Sequence, residues 1–156
     1  MPELSEREQQ IRDAFSDQGT HLAARMGIRI LEASPERVVG TMPVDGNTQP
    51  YGILHGGASC VLAESLGSLG SALQAGPGRV TVGIEINATH HRAARAGLVT
   101  GMATLAHGGR TMSTFDIVIT DEDGRRVCTA RLSCLHRDAV PGAGSLSHDP
   151  GDLASA

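Results

Sequence analysis

The sequence predicts an α+β domain in which an antiparallel sheet wraps around one long central helix. Three observations carry this. Leu62, Leu66, Leu69 and Leu73 recur at steps of four, three and four, which marks one buried stripe on a long helix. Val80, Val82, Ile84, Ile86 and Ala88 alternate with other residues, the period of a strand covered on one face. Further strand-like segments then follow one another, separated by turn residues, as an antiparallel sheet requires.

Taken in order, residues 5–25 have helical composition, with Ser5 and Glu8 in the spacing of a capping box. Residues 27–33 and 36–44 read as strands around a Ser34-Pro35 turn. A polar loop rich in Gly, Asn, Gln and Pro runs from Asp45 to about Leu54. The long helix spans about Gly56 to Gln74 and ends at the breaker Gly76-Pro77-Gly78. Strands are expected at 80–88, 97–107, 111–120 and 126–136. A His107-Gly108-Gly109 turn joins the second and third of these, and Asp121-Glu122-Asp123-Gly124 joins the third and fourth. Cys128, Ala130, Leu132 and Cys134 share one face of the last strand. One domain over residues 1–137 results, with a disordered tail expected at 138–156, where Pro, Gly, Ser, Asp and Ala dominate.

Composition narrows the function. Net charge is −4, and all 13 basic residues are Arg, scattered without a basic run. Such a chain has no electrostatic footprint for nucleic acid. With 2% aromatic residues it also lacks rings on which bases could stack. Cys60, Cys128 and Cys134 form no C-x-x-C pair, which fits a reducing compartment. The charged start, Met-Pro-Glu-Leu-Ser-Glu-Arg-Glu, is unlike a signal peptide, and no run approaches the ~20 apolar residues of a membrane span. A cytoplasmic location without membrane contact is expected.

The chemistry concentrates between Gln49 and Ser68. Gly56 and Gly57 open the long helix directly after His55. The first N–H groups of a helix are unsatisfied, and the dipole there favours negative charge. A substrate carbonyl gaining charge could be held at this point; read alone, the pair could equally be a tight turn. Glu64 is the only residue among Asp, Glu, Lys and Arg between 46 and 78. It points away from the leucine stripe, on a face shared with the small residues Cys60, Gly67, Ser68 and Ser71, so this face is also expected to be buried. A carboxylate so placed is a candidate for catalysis. Ser68 lies one turn further on, within reach of a water or substrate oxygen shared with Glu64. His55 and Glu64 are nine positions apart, about 180° around a helix, so a site using both takes them from two subunits. His90 has the parity of Ile86 and Ala88 and is expected to face the helix, as a structural residue or a substrate contact. No H-x-x-x-H, H-E-x-x-H or G-x-S-x-G pattern is present, so neither a metal site nor a serine hydrolase is indicated.

The run Gln49 to Ser68, with Asn87-Ala-Thr-His-His-Arg92, His107-Gly-Gly-Arg-Thr111 and Asp123-Gly-Arg-Arg-Val-Cys-Thr-Ala-Arg131, resembles the hotdog-fold thioesterases over roughly residues 20–137. The similar subfamily holds the thioesterases of phenylacetate degradation, enterobactin proofreading and 4-hydroxybenzoyl-CoA hydrolysis. The resemblance implies hydrolysis of an acyl-CoA or acyl-carrier-protein thioester, with a slight preference for an aryl group. It makes Glu64 the nucleophile or general base and places Gln49 and His55 of a neighbouring subunit on the carbonyl. By the same resemblance the Gly56 N–H meets the oxyanion, Ser68 helps place water or substrate, and His90 lines the acyl pocket. It sets Gly83, Arg92, Arg110, Thr111 and Arg137 where relatives hold CoA, with Arg110 the weakest match. It implies a homodimer with a shared site, commonly doubled to a homotetramer, and no cofactor, CoA being part of the substrate. Two other readings stand beside it: a hotdog dehydratase, whose Asp/His motif is missing here, and a non-catalytic acyl-CoA-binding protein of the same fold.

Overall fold

A computed structural model describes residues 21–139, together with Glu6, Gln9 and Asp13, which are helical and exposed. The Ser5 capping box and the tail beyond 139 lie outside the described residues. A short helix α1 (Leu22–Arg25) precedes strands β1 (Arg29–Ala33) and β2 (Arg37–Pro43). The long helix α2 (Gly56–Ala75) follows, then β3 (Arg79–His90), β4 (Leu98–Gly108), β5 (Met112–Thr120) and β6 (Arg126–Asp138). Helix α1 begins afresh at His21, whose extended backbone (ψ 151°) interrupts the helix expected over 5–25. The remaining elements fall within about two residues of their expected places.

The strands form one antiparallel sheet in the order β1-β2-β4-β5-β6-β3, curled around α2: the hotdog arrangement. Leu62, Leu66 and Leu69 are wholly buried and Leu73 nearly so, packed among Val38, Met42, Val99, Phe115, Ile117 and Leu132 of the sheet. Burying each such side chain contributes about 1.5–3 kcal/mol. Small residues on α2 let the sheet come close. A β-carbon at Gly67 would lie 2.6 Å from Leu132 Cδ2, and one at Gly70 2.6 Å from Phe115 Cε1. His55 caps the start of α2 and Gly76 (φ 77°) stops its end.

Strand β3 departs from the even alternation expected of it. A β-bulge between Gly83 and Glu85 inserts Ile84 as an extra residue opposite β6. Side-chain direction therefore reverses at this point. Thr81 and Gly83 pair with His136 and Cys134, whose side chains are buried, while beyond the bulge Ile86, Ala88 and His90 pair with Leu132, Ala130 and Cys128. Val80 and Val82 consequently face outward and, with Ile84, are about half exposed, at the open edge of the sheet. Among the described residues no helix is long and apolar enough to cross a membrane.

Candidate active site at the start of the central helix

The loop before α2 is held by its own backbone. Gln49 and Gly52 close a turn, with Gln49 N–H donating to Ile53 O and Gly52 N–H to Gln49 O, both at 2.9 Å. The Asn47 side-chain amide donates to Met26 O and Pro43 O at 2.8 and 2.9 Å, and His55 N–H donates to Asn47 O at 2.9 Å. Leu54 N–H reaches Ala94 O at 2.8 Å, which ties the loop to the segment following β3. Gln49 and the first turn of α2 thus have fixed positions.

His55 Nδ1 accepts the Gly57 N–H at 2.9 Å, which places the ring proton of neutral His55 on Nε2. Among the described residues, the Gly56 N–H has no acceptor. It is a free donor at the positive end of a 20-residue helix. Gly56 lines a cavity of about 320 Å³ with Gln49, Ile53, Leu54, Ser59, His90 and Arg92 among others. The His90 ring rests on Gly56, and a β-carbon there would lie 2.8 Å from Nε2. His90 faces the helix as its parity predicts. The ring of His55 instead borders a neighbouring hollow with Met26, Asn47, Thr48 and Val61.

Glu64 stands elsewhere. Eight residues at ~1.5 Å each place it about 12 Å further along the α2 axis than Gly56. Its face is less covered than expected: Glu64 itself is exposed, Cys60 and Ser68 are half-buried, and only Gly67 and Ser71 are buried. The reason is the sheet edge, since β3 is the last strand beside this face and no strand among the described residues lies beyond it. The carboxylate leans toward β3, where a β-carbon on Gly83 would lie 3.4 Å from Glu64 Oε1. Among the described residues no cation pairs with it.

The expected CoA contacts divide in the same way. Arg92 lines the Gly56 cavity, at its border with a charged hollow that includes Arg95, Asp121, Glu122 and Arg125. Arg110 and Thr111 lie in the β4–β5 turn near the far end of α2, where Thr111 O accepts the His136 N–H at 2.8 Å. Arg137 follows His136 on β6, opposite Val80. Arg92, Arg110 and Arg137 are exposed and without salt bridges among the described residues. One chain therefore carries two groups: Gln49, Gly56, His90 and Arg92 at the start of α2, and Glu64, Ser68 and Gly83 midway along it.

A buried polar cluster was not anticipated. Ser71, Ser113 and His136 share hydrogen bonds beneath α2. Burial and the nearby Arg79 hold His136 below its ordinary pKa, and burial raises the Cys134 thiol beside it. The available signal was parity, since His136 continues the inward series Cys128, Ala130, Leu132, Cys134.

The family model for the thioesterase superfamily matches residues 51–128. The proofreading thioesterase EntH of Cronobacter turicensis is 48% identical over 113 residues, spanning 72% of this chain and 82% of its own. Among solved structures, a thioesterase from Haemophilus influenzae superposes with a TM-score of 0.76 at 35% identity, covering 81% of this chain and 90% of the other. A mutant thioesterase from Pseudomonas aeruginosa gives a TM-score of 0.77 at 38% identity, with coverages of 88% and 97%. On the family match, the curated relative and the shared hotdog fold, this chain belongs to the thioesterase superfamily and is a thioester hydrolase.

Proposed function

We propose that the protein hydrolyses acyl-CoA thioesters in the cytoplasm, at a site assembled from two copies of the chain. The observation that carries this is the unaccepted Gly56 N–H in a cavity with Gln49 and His90, about 12 Å along the helix axis from Glu64. One copy supplies Gln49, His55 and Gly56 to the thioester carbonyl, and the other supplies Glu64 and Ser68. Two copies related by a two-fold axis form two such sites, and the open β3 edge with outward Val80 and Val82 is the surface on which they pair. Pairs of dimers make the tetramer.

In the reaction, the carbonyl oxygen gains negative charge and is stabilised by the Gly56 N–H. Glu64 takes a proton from the attacking water, or itself attacks to give an anhydride that water then cleaves. The C–S bond breaks, the CoA thiolate is protonated as it leaves, and the free acid remains. In this reading Arg92 from one side and Arg110, Thr111 and Arg137 from the other hold the CoA phosphates. No cofactor is called for, because CoA enters as part of the substrate.

The test is thiol release from acetyl-, hexanoyl-, palmitoyl-, benzoyl- and hydroxybenzoyl-CoA by wild type and Glu64→Ala. Loss of ~100-fold or more in the variant, with assembly intact, is expected. Equal and negligible release from both proteins, with acyl-CoA still bound, would favour a non-catalytic binding protein.

A further inference from the structure

Three buried polar side chains meet under the second half of α2, each from a different element. Ser71 comes from α2, Ser113 from the start of β5 and His136 from the end of β6. Ser71 Oγ lies 2.7 Å from Ser113 Oγ and 3.3 Å from His136 Nε2, which is itself 3.0 Å from Ser113 Oγ. Ser71 and Ser113 are 0% exposed and His136 4%. Such a group brings no stability over apolar side chains of the same shape. What its directed hydrogen bonds add is position, because a satisfied buried network admits one arrangement of the elements that carry it.

The cluster sits at the root of the β4–β5 turn, whose exposed tip is Arg110 and Thr111. Two backbone hydrogen bonds hold this turn, Gly109 N–H to Met112 O and His136 N–H to Thr111 O, both at 2.8 Å. The second ties Thr111 to the residue whose ring the two serines hold. Ser113 follows Thr111 by two residues, and Arg137 is the residue after His136. From the β3 side the Arg79 guanidinium donates to His136 O at 3.4 Å. The backbone N–H, the carbonyl and the ring Nε2 of His136 are thus all engaged. Arg110 and Arg137 are exposed and without salt bridges among the described residues, so their backbone decides where they stand.

We propose that Ser71, Ser113 and His136 are positioning residues that fix Arg110, Thr111 and Arg137 relative to α2, and so set the grip on the CoA phosphates against the place where Glu64 meets the thioester. Ser71 makes the connection. It lies seven residues beyond Glu64 on the same helix, about 10 Å along the axis. One helix therefore carries the carboxylate and, through Ser71, anchors the turn that holds the far end of CoA. The inference rests on the thioesterase reading, with its assignment of these three residues to CoA, and adds what holds them in place.

The test is Ser113→Ala in the full-length protein, which removes the hydroxyl shared by His136 and Ser71, with one acyl group offered both on CoA and on pantetheine, which lacks the phosphates. For the CoA thioester KM is expected to rise about tenfold with kcat changed less than about twofold, as when binding remote from the reacting carbon is lost. The Kd of free CoA, read by calorimetry, should rise in parallel. Cleavage of the pantetheine thioester should stay within about twofold of wild type. In an Arg110→Ala, Arg137→Ala background the same change should weaken CoA no further. His136→Gln, which keeps a polar group for the serines, should retain the grip that His136→Leu loses. An equal loss on both thioesters, an unchanged Kd for CoA, or a further tenfold loss in the double-arginine background would overturn the positioning role while leaving the thioesterase reading in place. A wild type inactive on every thioester would instead remove that reading, and this inference with it. If Ser113→Ala does not fold, Ser71→Ala severs the cluster from the helix and is read in the same way.

Discussion

At the scale of single residues, Gly56 works through two separate properties. Its N–H is free, and its missing side chain leaves room for the His90 ring. Alanine at this position keeps the amide but puts a methyl 2.8 Å from His90 Nε2, and His90 is an exposed ring that can swing away. Gly56→Ala is therefore expected to leave the melting temperature nearly unchanged while lowering kcat/KM by about 100-fold, because the added methyl displaces the reacting carbonyl by about 1 Å from an amide that is kept. Parallel thermal and kinetic assays check this. His136 supplies a second prediction, on stability. Burial and Arg79 lower its folded pKa from the ordinary 6.5, so the unfolded chain takes up a proton that the folded chain refuses. Stability should thus hold above pH 6.5 and fall as the pH drops from there through the lowered value. His136→Asn should flatten that part of a melting-temperature profile. The places of Gly56 at the start of α2 and Glu64 midway along it were legible in the sequence because helix geometry is local, whereas Gln49 entered only through the resemblance. The contacts of Ser71 and Ser113 were not, since serines 42 positions apart meet only through tertiary packing.

For the elements, the long helix was readable because its leucine stripe and its glycine stops act locally. The bulge in β3 was not. Val80, Val82, Ile84, Ile86 and Ala88 have the period of a regular strand, and only the pairing with β6 shows that Ile84 is an extra residue. Its consequence reaches the site, because it turns Gly83 inward to face Glu64 and turns two valines out to the sheet edge. Close approach of α2 to the sheet gives the prediction at this scale. A methyl on Gly67 would press on buried Leu132 at 2.6 Å, with no free space to move into. Gly67→Ala is expected to destabilise the fold by about 1–3 kcal/mol, the usual cost of overpacking. A lower urea midpoint at unchanged slope would show it.

Considered as a whole molecule, the chain holds each half of the proposed site in good order but not together. Gln49 and Gly56 sit at the start of α2, and Glu64 faces the open β3 edge. The nine-residue spacing of His55 and Glu64 already pointed to two subunits, because helix geometry can be read from sequence. Exposure of Glu64 could not be read that way, since it depends on which strand ends the sheet. An edge strand with exposed apolar side chains is a liability unless something covers it, and in the proposed dimer a second copy would do so while completing the site.

The most direct test mixes two inactive proteins. Glu64→Ala and Gln49→Ala, each first shown to be inactive alone, are exchanged into mixed dimers by co-expression or reversible dissociation. If the site is shared, one of the two sites in a mixed dimer has both residues intact. With half of all dimers mixed, the sample should recover about a quarter of wild-type activity, as two-fold symmetry requires. A mixture no more active than its components, with mixed dimers demonstrated, would place Gln49 and Glu64 in the same subunit's site and contradict the shared-site account.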